Sequence, residues 1–429
     1  MRRYPLLFTV LLIAALVLVA CPAPATAPAT GGQEAAQPAA GGQEAAQAQE
    51  EMPKVIRIGA AVSETGRYAR EGGDTRQGYI LWMEWVNNEY GGIKVGDERY
   101  QVELILYDDE SNPDTVTRLT EKLITEDKVQ FLLGPYSSGL TKAASAISEK
   151  YQIIMVEGNG ASDSLFERGF QYLFAVLTPA SRYTQSGLKA LADAGARSAV
   201  IAYKDSPFPK SVAQGAEQWA QEYGMEVLAV ESYPADINDA TALMAKFKEL
   251  DPDVFVGAGH FVDGVLLARN AEEVDFTPKA FMLTVGPSNP EFVEELGKTS
   301  EQIIGPTQWE RNMAWEGPYL GTAEEYAQRY EKRWGEPPTY QAAESTATAL
   351  ALQIAIEMAG TLETDAVRQA LLDMDVVTFY GPINFDETGK NLAKPMGAIQ
   401  IQDGQILVIA PEEAAVADLV YPMTPWKER

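Results

Sequence analysis

The sequence predicts an α/β protein built of two similar doubly wound lobes. Three observations carry this expectation. Short apolar runs recur from residue 55 onward, each bounded by glycine or polar turn residues. Segments with apolar residues at helical spacing separate them. The alternation restarts near Pro179 as a second set of units. Strands so uniformly apolar are buried on both faces, as in parallel sheets covered by helices.

In chain order, VIRIGAAV (55–62) is a strand, and 74–90 is a helix with Ile80, Leu81, Trp85 and Val86 on its apolar side. VELILY (102–107), VQFLLG (129–134) and IIMVEG (153–158) are strands, separated by helices over 115–127 and 139–150. The second set runs helix 181–195, strand 198–203, helix 209–223, strand 226–233, helix 239–250, strand 253–259, helix 261–272 and strand 280–285. Two long helices follow over 319–334 and 341–359, then one over 363–373. The second long helix is alanine-rich, and its small side chains imply close packing. PINF (382–385), MGAIQI (396–401) and QILVIA (405–410) are short antiparallel candidates, and 411–429 is a C-terminal tail. Ligands in open α/β sheets bind beyond the carboxyl ends of the strands. With two lobes, those ends can face each other across a cleft that closes.

The N-terminal region has a different composition. Arg2 and Arg3 precede an apolar run from Leu6 to Ala20, close to the length of a signal-peptide core. LVAC (18–21) ends in Cys21, the chain's one cysteine, and resembles the lipobox of bacterial lipoproteins. That resemblance implies removal of residues 1–20 and a membrane anchor through lipidated Cys21. An uncleaved signal anchor or a buried structural thiol is the alternative. Residues 21–53 repeat GGQEAAQ and carry almost nothing to build a core, so they are read as a flexible tether of Ala, Gly, Gln and Pro.

Formal net charge is -27, which excludes a nucleic-acid footprint, since that surface would be basic. One histidine in the chain excludes a histidine-based metal cluster. No P-loop, GxSxG, HExxH or Cys–His pattern is present, and His260 sits after a strand with Asp263 nearby. It is read as a pocket or surface imidazole, not a general base. The sequence therefore predicts no catalytic residues, no cofactor and no metal.

Binding groups are expected in the strand-end loops. ETGRYAREGGDT (64–75) offers Arg67, Tyr68, Arg70 and Glu71 in a glycine-rich turn, as an anion clamp or as solvated loop charge. GPYSSGLT (134–141) follows a strand and opens a helix; Tyr136, Ser137 and Ser138 lie there, with free N–H groups suited to a carboxylate or to simple capping. EGNGASDS (157–164) brings Glu157, Gly160, Ala161 and Ser162, where a carboxylate and carbonyls suit an ammonium or amide. From the second lobe, Phe208, His260 and Phe261 form an aromatic wall or part of the core.

These stretches also carry a resemblance. IRIGAAVSETG (56–66), the run NNEYGGI to YDDESNP, FLLGPYSSGLTKAAS (131–145) and IIMVEGNGASDSL (153–165) are similar to the leucine/isoleucine/valine-binding family of bacterial solute-binding proteins, receptors for branched-chain amino-acid and amide uptake by ABC transporters. The resemblance covers roughly residues 54–410. It implies a periplasmic-binding-protein type I, Venus-flytrap fold with a three-crossover hinge. The first lobe would be 54–176 plus 306–385, and the second 177–305 plus 386–410. It further implies a ligand carboxylate at Ser138 with Ser137 beside it, an ammonium partly held at Gly160 and Ala161, and second-lobe aromatics at His260 and Phe208. Two departures stand out. Ala161 replaces a hydroxyl-bearing residue, with Ser162 one step on, and Val285 stands where the family places an acid. A buried ammonium needs a partner, so Glu157 or Glu71 would substitute, or the ligand is an amide, a urea-like compound or a small carboxylate. The expected role is a monomeric, lipid-anchored solute receptor that feeds an ABC permease. A sensory binding protein, a hydrolase of the same shape and a purely structural lipoprotein are the competing functions.

Overall fold

The computed structural model describes residues 54–429; Cys21, the signal segment and the tether lie outside them. The first sheet is built from β1 (Val55–Val62), β2 (Ile93–Val95), β3 (Glu98–Asp108), β4 (Phe131–Leu133), β5 (Met155–Glu157) and β6 (Leu173–Ala175). Their order is β2-β3-β1-β4-β5-β6, all parallel except β2, which pairs antiparallel to β3. Helices α1 (Ala69–Trp85), α2 (Pro113–Thr125) and α3 (Ser138–Tyr151) connect these strands.

The second sheet takes β7 (Ser198–Lys204), β8 (Glu226–Tyr233), β9 (Val254–Ala258), β10 (Ala280–Leu283) and β11 (Ile304–Thr307). Their helices are α4 (Gln185–Asp193), α5 (Pro207–Glu222), α6 (Thr241–Glu249), α7 (Phe261–Glu273) and α8 (Pro290–Leu296). The chain then returns to the first lobe. A ribbon of β12 (Glu316–Gly317) and β13 (Gly321–Thr322) leads to α9 (Ala323–Trp334), α10 (Tyr340–Ala359) and α11 (Thr364–Leu372). A second ribbon pairs β14 (Val376–Thr378) with β15 (Gly381–Ile383). Finally β16 (Gly397–Gln402) and β17 (Gln405–Ala410) extend the second sheet to the order β17-β16-β11-β10-β9-β7-β8.

Local chemistry explains many of the boundaries. Asn112 caps α2 by accepting from the N–H groups of Asp114 and Thr115 at 2.8 and 3.1 Å, with Pro113 in the first turn. Thr322 and Glu325 form a reciprocal capping box at the start of α9, and Gly335 ends it in the left-handed region. Every residue of α10 from Tyr340 to Ile356 is buried, as expected of a helix apolar or small on all sides. Close packing follows: a Cβ on Gly78 of α1 would stand 2.3 Å from the carbonyl oxygen of Ala342.

Several expectations are corrected. The residues 69–73 read as a glycine-rich turn are the first turns of α1. Gly72 allows this, because a Cβ there would lie 2.0 Å from the backbone oxygen of Ser63, so the helix starts directly against the end of β1. The α-helix also ends at Trp85, and a π-turn over Val86–Tyr90 follows. There Asn87 turns its amide inward, donating to the carbonyl of Val102 at 2.9 Å and accepting from its N–H at 2.8 Å. The antiparallel strand expected at 382–385 is present as β15, Gly381–Ile383, and its partner is β14.

The chain crosses between the lobes three times, after β6, after β11 and before β16. The third crossing comes later than residue 385. Lys390 still bridges to Ala175 of β6, and Asn391 donates to the carbonyl of Val176 at 2.8 Å. The residues 411–429 are more than a tail. Met423 N–H bonds the carbonyl of Lys279 at 2.8 Å, and the buried Trp426 indole donates to the carbonyl of Phe276 at 2.7 Å while packing on Phe281. Trp426→Ala is expected to lower stability by about 3–5 kcal/mol, checked by urea denaturation; a loss under about 1 kcal/mol would mean the segment only rests on the surface.

Candidate ligand site between the lobes

The loops after β1, β4 and β5 and the starts of α1, α3, α5 and α7 converge between the lobes. Tyr136 and Tyr68 come from the first lobe, Phe208 and His260 from the second. Tyr68 lies 5.5 Å from Tyr136 and 5.0 Å from His260 between ring centroids. His260 lies 5.5 Å from Phe208, which packs at 5.1 Å on Tyr183 of the first crossing. These five rings form one continuous cluster across the two lobes. The Tyr136 hydroxyl meets His260 Nδ1 at 3.0 Å, a direct hydrogen bond between lobes.

Glu71 sits at the centre of this contact and is 3% exposed. Its Oε1 accepts from the Tyr136 hydroxyl at 3.3 Å, and the backbone N–H of Phe261, at the start of α7, also bonds its carboxylate. Burial pushes the carboxyl above its usual range, partly offset by these donors and by the Arg70 charge. Among the described residues no cation forms an ion pair with it. His260 is pushed down to about 4, first by burial; Asp263 opposes that shift, while Lys204 and Arg67 add to it.

Other candidates are placed differently from the sequence expectation. Arg70 does not clamp an anion: it ion-pairs with Glu291 of the second lobe and lies 4.1 Å over the Phe261 ring. Arg67 likewise spans the lobes, donating to the carbonyl of Ala235 at 3.0 Å. Glu157 is fully buried, and its acceptors are used locally by the Thr141 hydroxyl at 2.8 Å and by the backbone N–H groups of Gly158, Asn159 and Gly160. It braces its own turn. Burial still holds its carboxyl up at about 7. Gly160 is needed for that turn, since a Cβ would lie 2.6 Å from Thr141 Oγ1. The carbonyl of Ala161 accepts from Ala180 N–H at 2.8 Å. The Ser162 hydroxyl meets Ser211 at 2.9 Å and donates to the carbonyl of Pro207 at 3.1 Å, tying the first lobe to α5.

The serine motif keeps its free valences. Ser138 opens α3, and its Oγ accepts the Ser162 N–H at 3.0 Å, which leaves its own proton to donate. Ser137 is the cap residue of α3, and its side chain bonds Tyr68. Both serines are buried beside the helix N-terminus, where donors favour an anion.

Sequence reasoning missed the second-lobe charges. Lys204, at the end of β7, is 1% exposed and reaches both oxygens of Asp263 at 2.8 and 2.9 Å. Asp263 also accepts the His260 N–H at 2.9 Å. Lys204 ends a strand and Asp263 lies three residues past a strand-end histidine, so the strand-end rule itself pointed to both. Tyr183 and Tyr340 were missed too; their buried hydroxyls lie near enough to Tyr136 to disfavour its ionisation, after burial and Glu71. Val285 is buried and brings no acid, as the sequence showed. A pocket of about 650 Å³ adjoins the cluster, lined by Arg67 of the first lobe and by Ile237, Phe261, Asp263 and Arg269 of the second.

Known proteins show the same plan. The Leu/Ile/Val-binding protein homolog 7 of Brucella abortus is 24% identical over 387 residues, covering 86% of this chain and 94% of its own. The substrate-binding protein LivJ of Streptococcus pneumoniae, solved with isoleucine, superposes with a TM-score of 0.73 at 22% identity, over 86% of this chain and 100% of its own. A solute-binding protein of R. palustris solved with benzoate gives a TM-score of 0.71 at 18% identity, over 85% and 98%. At such identities the structural likeness is one of fold. The periplasmic binding protein model matches residues 55–405, a span that takes in all three crossings and both sheets up to the start of β17, and the chain therefore belongs to the periplasmic binding protein family.

Proposed function

We propose that this chain is an extracytoplasmic receptor that closes its lobes over a small polar solute and hands it to an ABC permease. The ligand is of the branched-chain or aliphatic amino-acid class, and Cys21 carries the lipid anchor. The observation that carries the ligand reading is Glu71, a carboxylate buried at the lobe contact with hydrogen-bond donors and the Arg70 charge nearby but, among the described residues, no ion pair. A ligand ammonium would supply the missing charge. Ser138 and the N-terminus of α3 are the matching donors for a ligand carboxylate, and the ring cluster suits its apolar body. Arg70, Glu157, Ala161 and Ser162 serve the frame of the site and are not assigned direct contacts. The names of the Brucella relative and of the isoleucine-bound structure support this class.

One observation favours a second reading. The benzoate-bound neighbour holds a carboxylate without an amine in the same fold, so an amide, urea-like or small carboxylate ligand is the alternative. A sensory partner in place of a permease leaves the site unchanged. Among the described residues no helix is long and apolar enough to cross a membrane, and no acid, histidine or cysteine cluster fits a metal.

Amino acids, amides and small carboxylates are to be screened by thermal shift and confirmed by calorimetry, since a ligand bound only by the folded chain stabilises it. Leucine, isoleucine or valine is expected to bind one to one. Glu71→Gln is expected to weaken that binding by at least about 30-fold, the effect of removing one member of a buried charge pair. Binding only by an amine-free carboxylate, unchanged in Glu71→Gln, would overturn the amino-acid reading. Ser138→Ala is expected to weaken any carboxylate ligand by about tenfold, measured by the same titration.

A further inference from the structure

The Tyr136 hydroxyl has one proton and two buried neighbours that can accept it: Glu71 Oε1 at 3.3 Å and His260 Nδ1 at 3.0 Å. The surroundings of Glu71 decide between them. Apart from the tyrosine, the Phe261 N–H and its own backbone N–H act on its carboxylate as donors, and the Arg70 guanidinium acts on it as a nearby positive charge. Donors of this kind are satisfied by an ionised carboxylate, which only accepts. The tyrosine proton therefore points to Glu71, and the tyrosine oxygen is left to accept from the imidazole. That requires a proton on Nδ1 of a neutral His260.

We propose that closing the lobes assembles a directed hydrogen-bond chain, His260 Nδ1–H to Tyr136 Oη–H to Glu71 Oε1, and that His260 is the positioning residue that turns the tyrosine onto the ligand-facing carboxylate. The proposal deepens the receptor reading: beyond lending its ring to the cluster, His260 sets the acceptor that the ligand ammonium meets.

A pH dependence follows. The charged or titratable groups around His260 are Asp263 and Lys204 of the second lobe and Arg67, Tyr68, Tyr136 and Glu71 of the first. In the closed arrangement the imidazole is held down at about 4 by burial, whereas an exposed imidazole titrates near its ordinary value of about 6.5. The open form thus binds the extra proton between these values. Closure is fully favoured above about 6.5 and is lost progressively as pH falls toward 4, by about tenfold between pH 7.5 and 5.5. Glu71 acts in the opposite sense, because burial raises its carboxyl. Comparison with His260→Asn separates the two: asparagine keeps an N–H donor near the Nδ1 position but never ionises.

His260 is the chain's one histidine, so its ¹⁵N signals need no assignment. The full chain carrying Cys21→Ser, Ser162→Cys and Ser211→Cys can be locked shut by a disulfide where the two hydroxyls meet across the lobes at 2.9 Å. The locked protein is expected to show a protonated Nδ1 and a bare Nε2, with no titration down to pH 5, and Tyr136→Phe is expected to shift the Nδ1–H resonance. With leucine as probe on the full chain, affinity is expected to fall about tenfold from pH 7.5 to 5.5, to lose that fall in His260→Asn, where only the opposite trend of Glu71 is left, and to drop at every pH in His260→Phe. A protonated Nε2, titration near 6.5 in the locked protein, or an unchanged pH profile in His260→Asn would overturn the proposal. If leucine fails to bind, the amino-acid reading falls, and the tautomer of the locked protein alone decides this one.

Discussion

Gln308 joins the three crossings between the lobes. Its amide nitrogen donates to the carbonyl of Thr178 at 3.1 Å, and its amide oxygen accepts the Thr178 N–H at 3.2 Å, so the first and second crossings are paired as strands would be. The same oxygen accepts from Lys394 of the third crossing at 3.3 Å, and the Lys394 ammonium also bonds the Gln308 carbonyl. Thr178 closes the triangle by donating to the carbonyl of Lys394 at 3.2 Å. Without this buried knot the separate crossings would have no common pivot, and the loops of the two sheets would have no fixed relation. Burial pushes Lys394 down to about 7 and raises Glu344 by the same cause, with each opposing the other's shift. The pair has no net charge whichever partner holds the proton, which lets the pivot stay dry.

Charge in the cleft is distributed unequally on either side of that pivot. The second lobe brings a cation and an anion, but Lys204 and Asp263 neutralise each other, and Asp263 is also bound by the cap of α7. The first lobe brings Glu71 without a counter-cation. Closing the lobes therefore takes a carboxylate out of water, a cost that hydrogen bonds from Tyr136 and Phe261 only partly offset. A cationic group between the lobes would favour closure strongly, while an anion near Glu71 would oppose it.

Some of the site was legible because it depends on position along a strand. Tyr136, Ser138, His260 and Phe208 were found by asking which residues follow predicted strands, and the fold places all four between the lobes. The same rule gave Arg70, Glu157 and Ser162, yet their polar groups are engaged by Glu291, by the turn of Gly158–Gly160 and by α5. Those partners lie as far apart in the chain as Arg70 and Glu291 or depend on the exact path of a loop, and no periodicity encodes them. Tyr183 and Tyr340 were overlooked because one sits on a crossing and the other in a helix that returns from the far side of the chain.

The sequence alone determined the alternation of strands and helices, the second set of units and the strand-end loops, because apolar periodicity and turn residues are local properties. It also determined the lack of a second-lobe acid at Val285. Only the tertiary structure decided that 411–429 packs into the second lobe through Trp426, that Arg70 and Arg67 reach across to partners in the second lobe, and that Glu71 is buried at the lobe contact beside Tyr136. Each of these is a pairing between segments distant in the chain. Burial and charge compensation are properties of such pairings, and they exist only once both lobes are folded and brought together.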